Sequence, residues 1–188
     1  MYTPIFTAID QRLEEKKRVI VAIDGPCGAG KTTLAVRLQS VYNCPVIAMD
    51  HFFLQPWQRT EERLAEPGGN VDYERVLEQV INPLREGRPF QYQIYDCQAD
   101  SMSLSEEIPV QALTVVEGSY SHHPVLAEHY DLKVFIKVAP DEQKRRLLKR
   151  SGPVMLERFL GEWIPLEEKY FSHFRIEENS DLVVRGAS

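Results

Sequence analysis

Gly25-Pro26-Cys27-Gly28-Ala29-Gly30-Lys31-Thr32 reads G-x-x-x-x-G-K-[ST], a spacing suited to holding phosphate. Glycines let a loop wrap tightly enough to aim successive backbone N–H groups inward, and a helix that follows adds its positive end. In such a loop Lys31 reaches the outer phosphates of a nucleotide, Thr32 presents a hydroxyl to Mg2+, and Thr33 can add a further hydrogen bond. The bland reading is a Gly-rich turn. Phosphoryl transfer needs two more parts, an acid that helps hold Mg2+ and a group that prepares the nucleophile. Glu117 follows the apolar run Leu113-Thr-Val-Val116 and stands in the position of a Walker B acid; the alternative is a solvated carboxylate at a strand end. Asp50 ends the apolar run Pro45 to Met49, where it can take a proton from an attacking hydroxyl; the alternative is a turn or cap Asp.

These groups need a scaffold. Val19-Ile-Val-Ala-Ile23, halted by Asp24-Gly25-Pro26, reads as a buried parallel strand, and Thr32 to Val41 as a helix with Leu34, Leu38 and Val41 on one face. Pro45 to Met49, Leu113 to Val116 and Leu132 to Val138 read as further buried strands, Gln91 to Asp96 as a short one, and Asp181 to Val184 as an edge strand. Asp72 is a plausible N-cap for a helix carrying Val76, Leu77, Val80 and Ile81, which Pro83 should end or bend. Asp141 to Arg150 is a basic helix expected to turn Leu147 and Leu148 inward. Leu156 to Phe174 is expected to be helical, broken or restarted at Pro165. Alternating strands and helices imply right-handed crossovers and a mainly parallel sheet covered on both faces, with ligands beyond the carboxyl ends of its strands. Asp24, Asp50 and Glu117 are therefore expected to converge on one rim.

The chain has 188 residues, enough for one domain, 1–188, with 43% hydrophobic and 27% charged residues as in ordinary globular proteins. A net charge of -6 argues against a general binder of nucleic acid. Met1 to Arg18 carries charges where an export signal needs apolar residues, and Val19 to Ile23 is too short to span a membrane. Cys27, Cys44 and Cys97 form neither a disulfide framework nor a CxxC pair, which suits a reducing cytoplasm.

No N-K-x-D base reader, D-x-x-G switch or LSGGQ-like signature is present. What remains is a small phosphotransferase, and the chain from Val19 to Val184 resembles the uridine kinase, phosphoribulokinase and nicotinamide riboside kinase group of P-loop kinases. Asp50-His-Phe-Phe53 resembles the D-x-F-F segment whose Asp is the base in these kinases. Val71-Asp72-Tyr-Glu-Arg-Val-Leu77 is similar to the stretch whose Asp holds ribose hydroxyls. Tyr95-Asp96 resembles the Y-D of the acceptor region, and Glu117-Gly118 the Walker B. Lys144-Arg145-Arg146 with Arg150 looks like the lid helix, and Trp163 to Tyr170 is similar to the W-x-x-x-x-x-K-Y segment after it.

The resemblance implies a three-layer αβα P-loop fold with a mainly parallel five-stranded sheet and a helical lid over about 141–160. It also implies transfer of the γ-phosphoryl of ATP or GTP to a hydroxyl of a small molecule. Asp50 would be the base, Thr32 and Glu117 would hold Mg2+, and Lys31, Arg146 and Arg150 would neutralise developing charge. The loop from Gly25 through Gly28, Ala29, Gly30, Lys31, Thr32 and Thr33 would hold the nucleotide, and Phe53, Asp72 and Tyr95 the acceptor. The partner is then the small acceptor, with neither nucleic acid nor membrane, and a homo-oligomer is compatible with it. The sequence departs from the group in three places. His51 replaces the second Asp of the riboside kinases, Asp100 stands where uridine kinases have a base-contacting His, and Glu66 falls nearest their acidic ribose reader.

A nucleoside acceptor of the uridine kind leads, with nicotinamide riboside, pantothenate-like and sugar-phosphate acceptors as alternatives. A non-catalytic nucleotide-binding regulator is the reading from another class, and it would not need Asp50. His51, His122, His123, His129 and His173 lack metal-ligand spacing and read as surface or supporting residues. Cys27 lies where loop amides and Lys31 can lower a thiol pKa, which would make nucleotide binding sensitive to oxidation; otherwise it is a small filler. Phe52, Phe53, Trp57, Tyr73 and Tyr95 flank the acceptor region, with about half expected in the core.

Overall fold

A computed structural model describes residues 2–186; residues 1, 187 and 188 of the expected domain lie outside the described residues. The central strand is β1 (Val19–Asp24), buried at every position, as expected of a β-branched run in a sheet covered on both sides. Around it stand β2 (Val46–Ala48), β5 (Leu113–Glu117), β6 (Leu132–Lys137) and β7 (Leu182–Arg185), in the order β2-β5-β1-β6-β7 and all parallel. Val19 pairs with Leu113, Val46 with Val115 and Val134 with Leu182.

The two-residue period of the strands sorts the core. Val19, Val21 and Ile23 face α1 (Thr3–Glu15) and α2 (Lys31–Tyr42), packing with Ile5, Ile9, Leu34 and Leu38. Ile20 and Val116 face the other side, with Ile47, Phe52, Val76, Ile81 and Tyr170. Helix α1 was hidden among charges in the sequence, and its signal is the apolar pair Ile5 and Ile9 at i,i+4.

The two prolines expected to interrupt helices do not break them. From α4 (Tyr73–Val76) the chain continues through a π-helical turn, Leu77–Ile81, into α5 (Asn82–Glu86), which holds Pro83. The second instance follows α7 (Pro140–Arg158), where a π-helical turn, Phe159–Trp163, leads into α8 (Ile164–His173), which holds Pro165. In both, a widened turn stands immediately before X-Pro. Proline supplies no N–H and crowds the preceding carbonyl, and the wider turn accommodates both. The break that does occur lies inside α7, where Gly152 (φ 78°, ψ 173°) precedes Pro153. Leu147 is buried as expected, but its neighbour Leu148, about 100° further round the helix, is exposed.

Short helices α3 (Glu61–Ala65) and α6 (Pro124–Ala127) complete the connections. A separate antiparallel hairpin joins β3 (Gln93–Asp96) to β4 (Ser101–Leu104). Strand β4 escaped the sequence reading because Ser101-Met-Ser-Leu104 lacks β-branched residues and is largely exposed. Among the described residues no helix is long and apolar enough to cross a membrane.

Candidate active site

The glycine-rich loop leaves β1 against β6. Gly25 has φ 142°, and a Cβ there would lie 2.3 Å from the Ile136 carbonyl oxygen, so glycine alone lets the loop start flush on its neighbour. Gly30, in the left-handed region, caps α2 and turns its first N–H groups toward the loop's hollow. Lys31 is buried and reaches back across that hollow, donating to the carbonyls of Gly25 (2.6 Å) and Pro26 (3.0 Å) and to Ser119 Oγ (3.1 Å). Thr32 and Thr33 stand exposed on the first turn of α2, while Ala29 is buried.

The Thr32 hydroxyl donates to Glu117 Oε1 at 3.0 Å. Glu117 closes β5 and is buried; burial raises its pKa, the Lys31 charge and the Thr32 bond oppose that rise, and the Asp50 charge adds to it. A buried carboxylate paired with a hydroxyl beside a phosphate cradle is a hard-oxygen donor set that fits Mg2+, which takes few protein ligands together with substrate oxygens.

Asp50 lies in a 3-10 turn, Met49–Phe52, directly after β2. Its carboxylate is exposed and, among the described residues, makes no hydrogen bond or ion pair. The turn is gripped from beneath by Arg75, which donates to the carbonyls of His51, Phe53 and Gln93 and lies 4.7 Å from the centre of the Phe52 ring. Asp72 holds that arginine. It N-caps α4 by accepting from the Arg75 amide (3.1 Å), pairs with Arg75 Nε (3.0 Å) and accepts from Gln58 Nε2 (3.0 Å). The N-cap reading therefore describes Asp72, whereas the open hydroxyl-binding carboxylate implied by resemblance is here a buried group spent on Arg75 and Gln58.

Tyr95 is buried; its hydroxyl donates to Asp100 (2.7 Å) and accepts from Arg59 (3.3 Å), closing the β3–β4 hairpin. Phe53 is half-buried and bridges to Val71. His51 bonds the Tyr92 hydroxyl at 3.1 Å, and burial lowers its pKa. Phe52 is core and Trp57 is exposed.

From α7, Arg146 donates to the loop carbonyls of Gly28 (3.1 Å) and Ala29 (3.4 Å). Arg150 instead lies exposed on α7, beside Ser151 and 5.4 Å from the Phe159 ring. Glu142, between Arg145 and Arg146, has its pKa pushed down to about 2 by their hydrogen bonds.

Asp24 departs from the expected rim of three acids. It is fully buried and accepts from the amides of Gly25 (2.7 Å), Tyr120 (3.2 Å) and His122 (2.9 Å) and from the Tyr170 hydroxyl (2.9 Å). This gives the Lys169-Tyr170 pair of the post-lid segment a structural purpose, since Tyr170 fastens α8 to the end of β1. His122 and His123 are likewise internal: His122 contacts the Ala22 carbonyl, and His123 stacks on Tyr73 at 4.0 Å. The Cys27 thiol is not activated. Burial, then the Glu167 charge and its hydrogen bond, push its pKa up to about 12, and the side chain packs beside Leu147 and Phe159 as a small filler.

Two residues in contact with this machinery went unread in the sequence, Ser119 and Glu167. Glu167 stands three residues before Tyr170 on the same face of α8, a spacing that carries a signal only once that face is known to meet the loop.

No family model matches the chain. Over 121 residues, 63% of this chain, it is 29% identical to uridine-cytidine kinase C of Dictyostelium discoideum, and it spans 26% of the length of that curated relative. Among solved structures, it superposes on a possible uridine kinase from Bacillus stearothermophilus with a TM-score of 0.70 at 18% identity, covering 97% of this chain and 100% of the other. A proposed fructose transport system kinase from Silicibacter sp. TM1040 gives 0.74 at 22% identity, over 97% and 98%. These likenesses establish the fold: a three-layer α/β architecture of the P-loop kinase type.

Proposed function

We propose that the chain is an ATP-dependent phosphotransferase that moves the γ-phosphoryl group to a hydroxyl of a small molecule, with a nucleoside of the uridine or cytidine kind the first candidate. The observation that carries this reading is the exposed Asp50 carboxylate, which makes no hydrogen bond or ion pair among the described residues and whose charge acts on Glu117 of the Thr32–Glu117 pair. A nucleotide-binding regulator needs the loop but not a free carboxylate at the acceptor side. The likeness to uridine-cytidine kinase C supports the choice of acceptor.

In this mechanism Asp50 takes the proton of the acceptor hydroxyl as its oxygen bonds to the γ-phosphorus, and the bond from that phosphorus to the β–γ bridging oxygen breaks to leave ADP. Lys31 exchanges its loop carbonyls for phosphate oxygens, and Arg146, already at the loop, adds positive charge. Arg150 joins them through lid closure about Gly152-Pro153. Thr32 and Glu117 would hold Mg2+, whose charge would offset that of the phosphates. GTP is accommodated by the same loop, and the three free cysteines suit a reducing, ATP-supplied compartment such as the cytoplasm.

The test is incubation with Mg-ATP or Mg-GTP and a panel of uridine, cytidine, nicotinamide riboside, pantothenate and sugar phosphates, following nucleoside diphosphate and phosphorylated acceptor together. Diphosphate formed with one acceptor class and in step with its phosphorylation is the expected result. Release independent of every acceptor, or nucleotide binding without turnover, overturns the reading.

A further inference from the structure

Glu167 has no place in that mechanism, yet it occupies the phosphate loop. It sits on the first turn of α8 and is buried. Both of its oxygens face the Cys27 N–H, at 3.2 and 2.9 Å, and Oε1 also accepts from Ser119 Oγ at 2.6 Å. Ser119 in turn accepts from Lys31 Nζ. Loop amides and the loop lysine are the groups that receive phosphate oxygens. Here a carboxylate of the protein itself takes one such amide and stands one hydroxyl away from the ammonium. The carbonyl of the same Cys27 accepts from Gln143 of α7 at 2.9 Å, so this single residue is clamped between α7, the proposed lid helix, and α8, which follows it.

We propose that Glu167 is a positioning residue, an anion resident in the phosphate loop, which holds the Cys27 amide and, through Ser119, Lys31 in place and gives way to the terminal phosphate of a nucleoside triphosphate. The proposal rests on the phosphotransferase reading of the loop. The helix end at Gly30 to Thr32 is the natural seat of the inner phosphates, whereas Cys27 lies at the opening of the loop, on the side of Ser119 and the Lys31 ammonium. Two anions cannot share one N–H in a cleft of low dielectric. The carboxylate must therefore withdraw when the third phosphate arrives, and a diphosphate leaves it in place. Tyr170, held to Asp24 one turn further on, keeps the rest of α8 fixed, so the response is confined to the turn next to the lid.

Glu167→Gln tests this, because its amide oxygen still accepts from Cys27 while the charge is gone. Calorimetry should show a non-hydrolysable Mg-ATP analogue binding about tenfold tighter to the variant than to the unaltered protein, with Mg-ADP within about twofold. Equal shifts for both nucleotides, or no gain for the triphosphate, would overturn the assignment. If the variant does not fold, hydrogen exchange on the unaltered chain decides. Amides of residues 164–168 should exchange faster with the ATP analogue than with ADP, and identical exchange rejects the proposal. Acceptor phosphorylation by the unaltered protein is scored separately. Its absence alongside the expected nucleotide discrimination would reject the kinase reading and leave the Glu167 result standing, while turnover without discrimination would reject only the role of Glu167.

Discussion

Asp50 is held in place through the backbone carbonyls of His51 and Phe53, which follow it, while its side chain makes no hydrogen bond or ion pair among the described residues, and that division of labour separates two kinds of substitution. Asp50→Asn removes the proton acceptor and leaves the turn intact. Turnover should fall by about a thousandfold while Mg-ATP affinity stays within about twofold, as read by steady-state kinetics beside direct binding. A normal kcat would remove Asp50 as base. Arg75→Lys leaves Asp50 present but strips the planar fork that joins His51, Phe53 and Gln93 to Asp72. The expected loss is about 3 kcal/mol of unfolding free energy, with a raised acceptor KM and an unchanged nucleotide Kd. An unaltered acceptor KM would show that the turn holds itself. Asp50, Lys31, Thr32 and Glu117 could be read from the sequence because each sits at a fixed offset from a strand end or in a contiguous motif. Arg75 could not, because its partners are backbone carbonyls, which every residue has.

At the scale of elements, α8 and the segment after β5 meet in a stack of rings, Tyr73 on His123 and His123 on Tyr170. Burial, followed by the nearby Arg63 charge, lowers the His123 pKa to about 4. In the unfolded chain it titrates near the ordinary value of about 6.5. The unfolded state therefore takes up a proton first as pH falls, so this contribution to stability is complete above about pH 6.5 and lost progressively toward pH 4. Of order 2 kcal/mol should be lost from this group between pH 7 and pH 5, measured by urea unfolding. His123→Phe keeps a ring in the stack and should flatten that dependence; an unchanged slope would place the titration elsewhere. In the sequence His123 reads as a surface or supporting residue, since a histidine between His122 and Pro124 carries no mark of burial. Pro83 reads as an end or bend and Pro165 as a break or restart; each does open a new α-helical segment, but the π-helical turns that carry the helix up to them lie in side-chain patterns that look like any amphipathic helix.

Taken whole, the alternation of apolar runs and amphipathic stretches made the parallel αβα class legible, and the motif order set the glycine-rich loop after β1 and the proposed base after β2. Strand order was not legible, since Val19–Asp24 and Leu113–Glu117 are interchangeable by composition and register between parallel strands leaves no trace in either. That order has a consequence for how the chain acquires its structure. Within this sheet β1 precedes the other strands in the chain and pairs with β5 and β6, and β2, which follows it, pairs with β5, so neither has a sheet partner until Leu113–Glu117 has been made. The amino-terminal half, with the phosphate loop in it, must wait unpaired for a segment far along the chain, and such distant pairings form slowly. A fragment ending at Leu104 should show no cooperative thermal unfolding, whereas one extended through Arg185 should. Cooperative melting of the shorter piece would mean that the loop and its two strands assemble on their own.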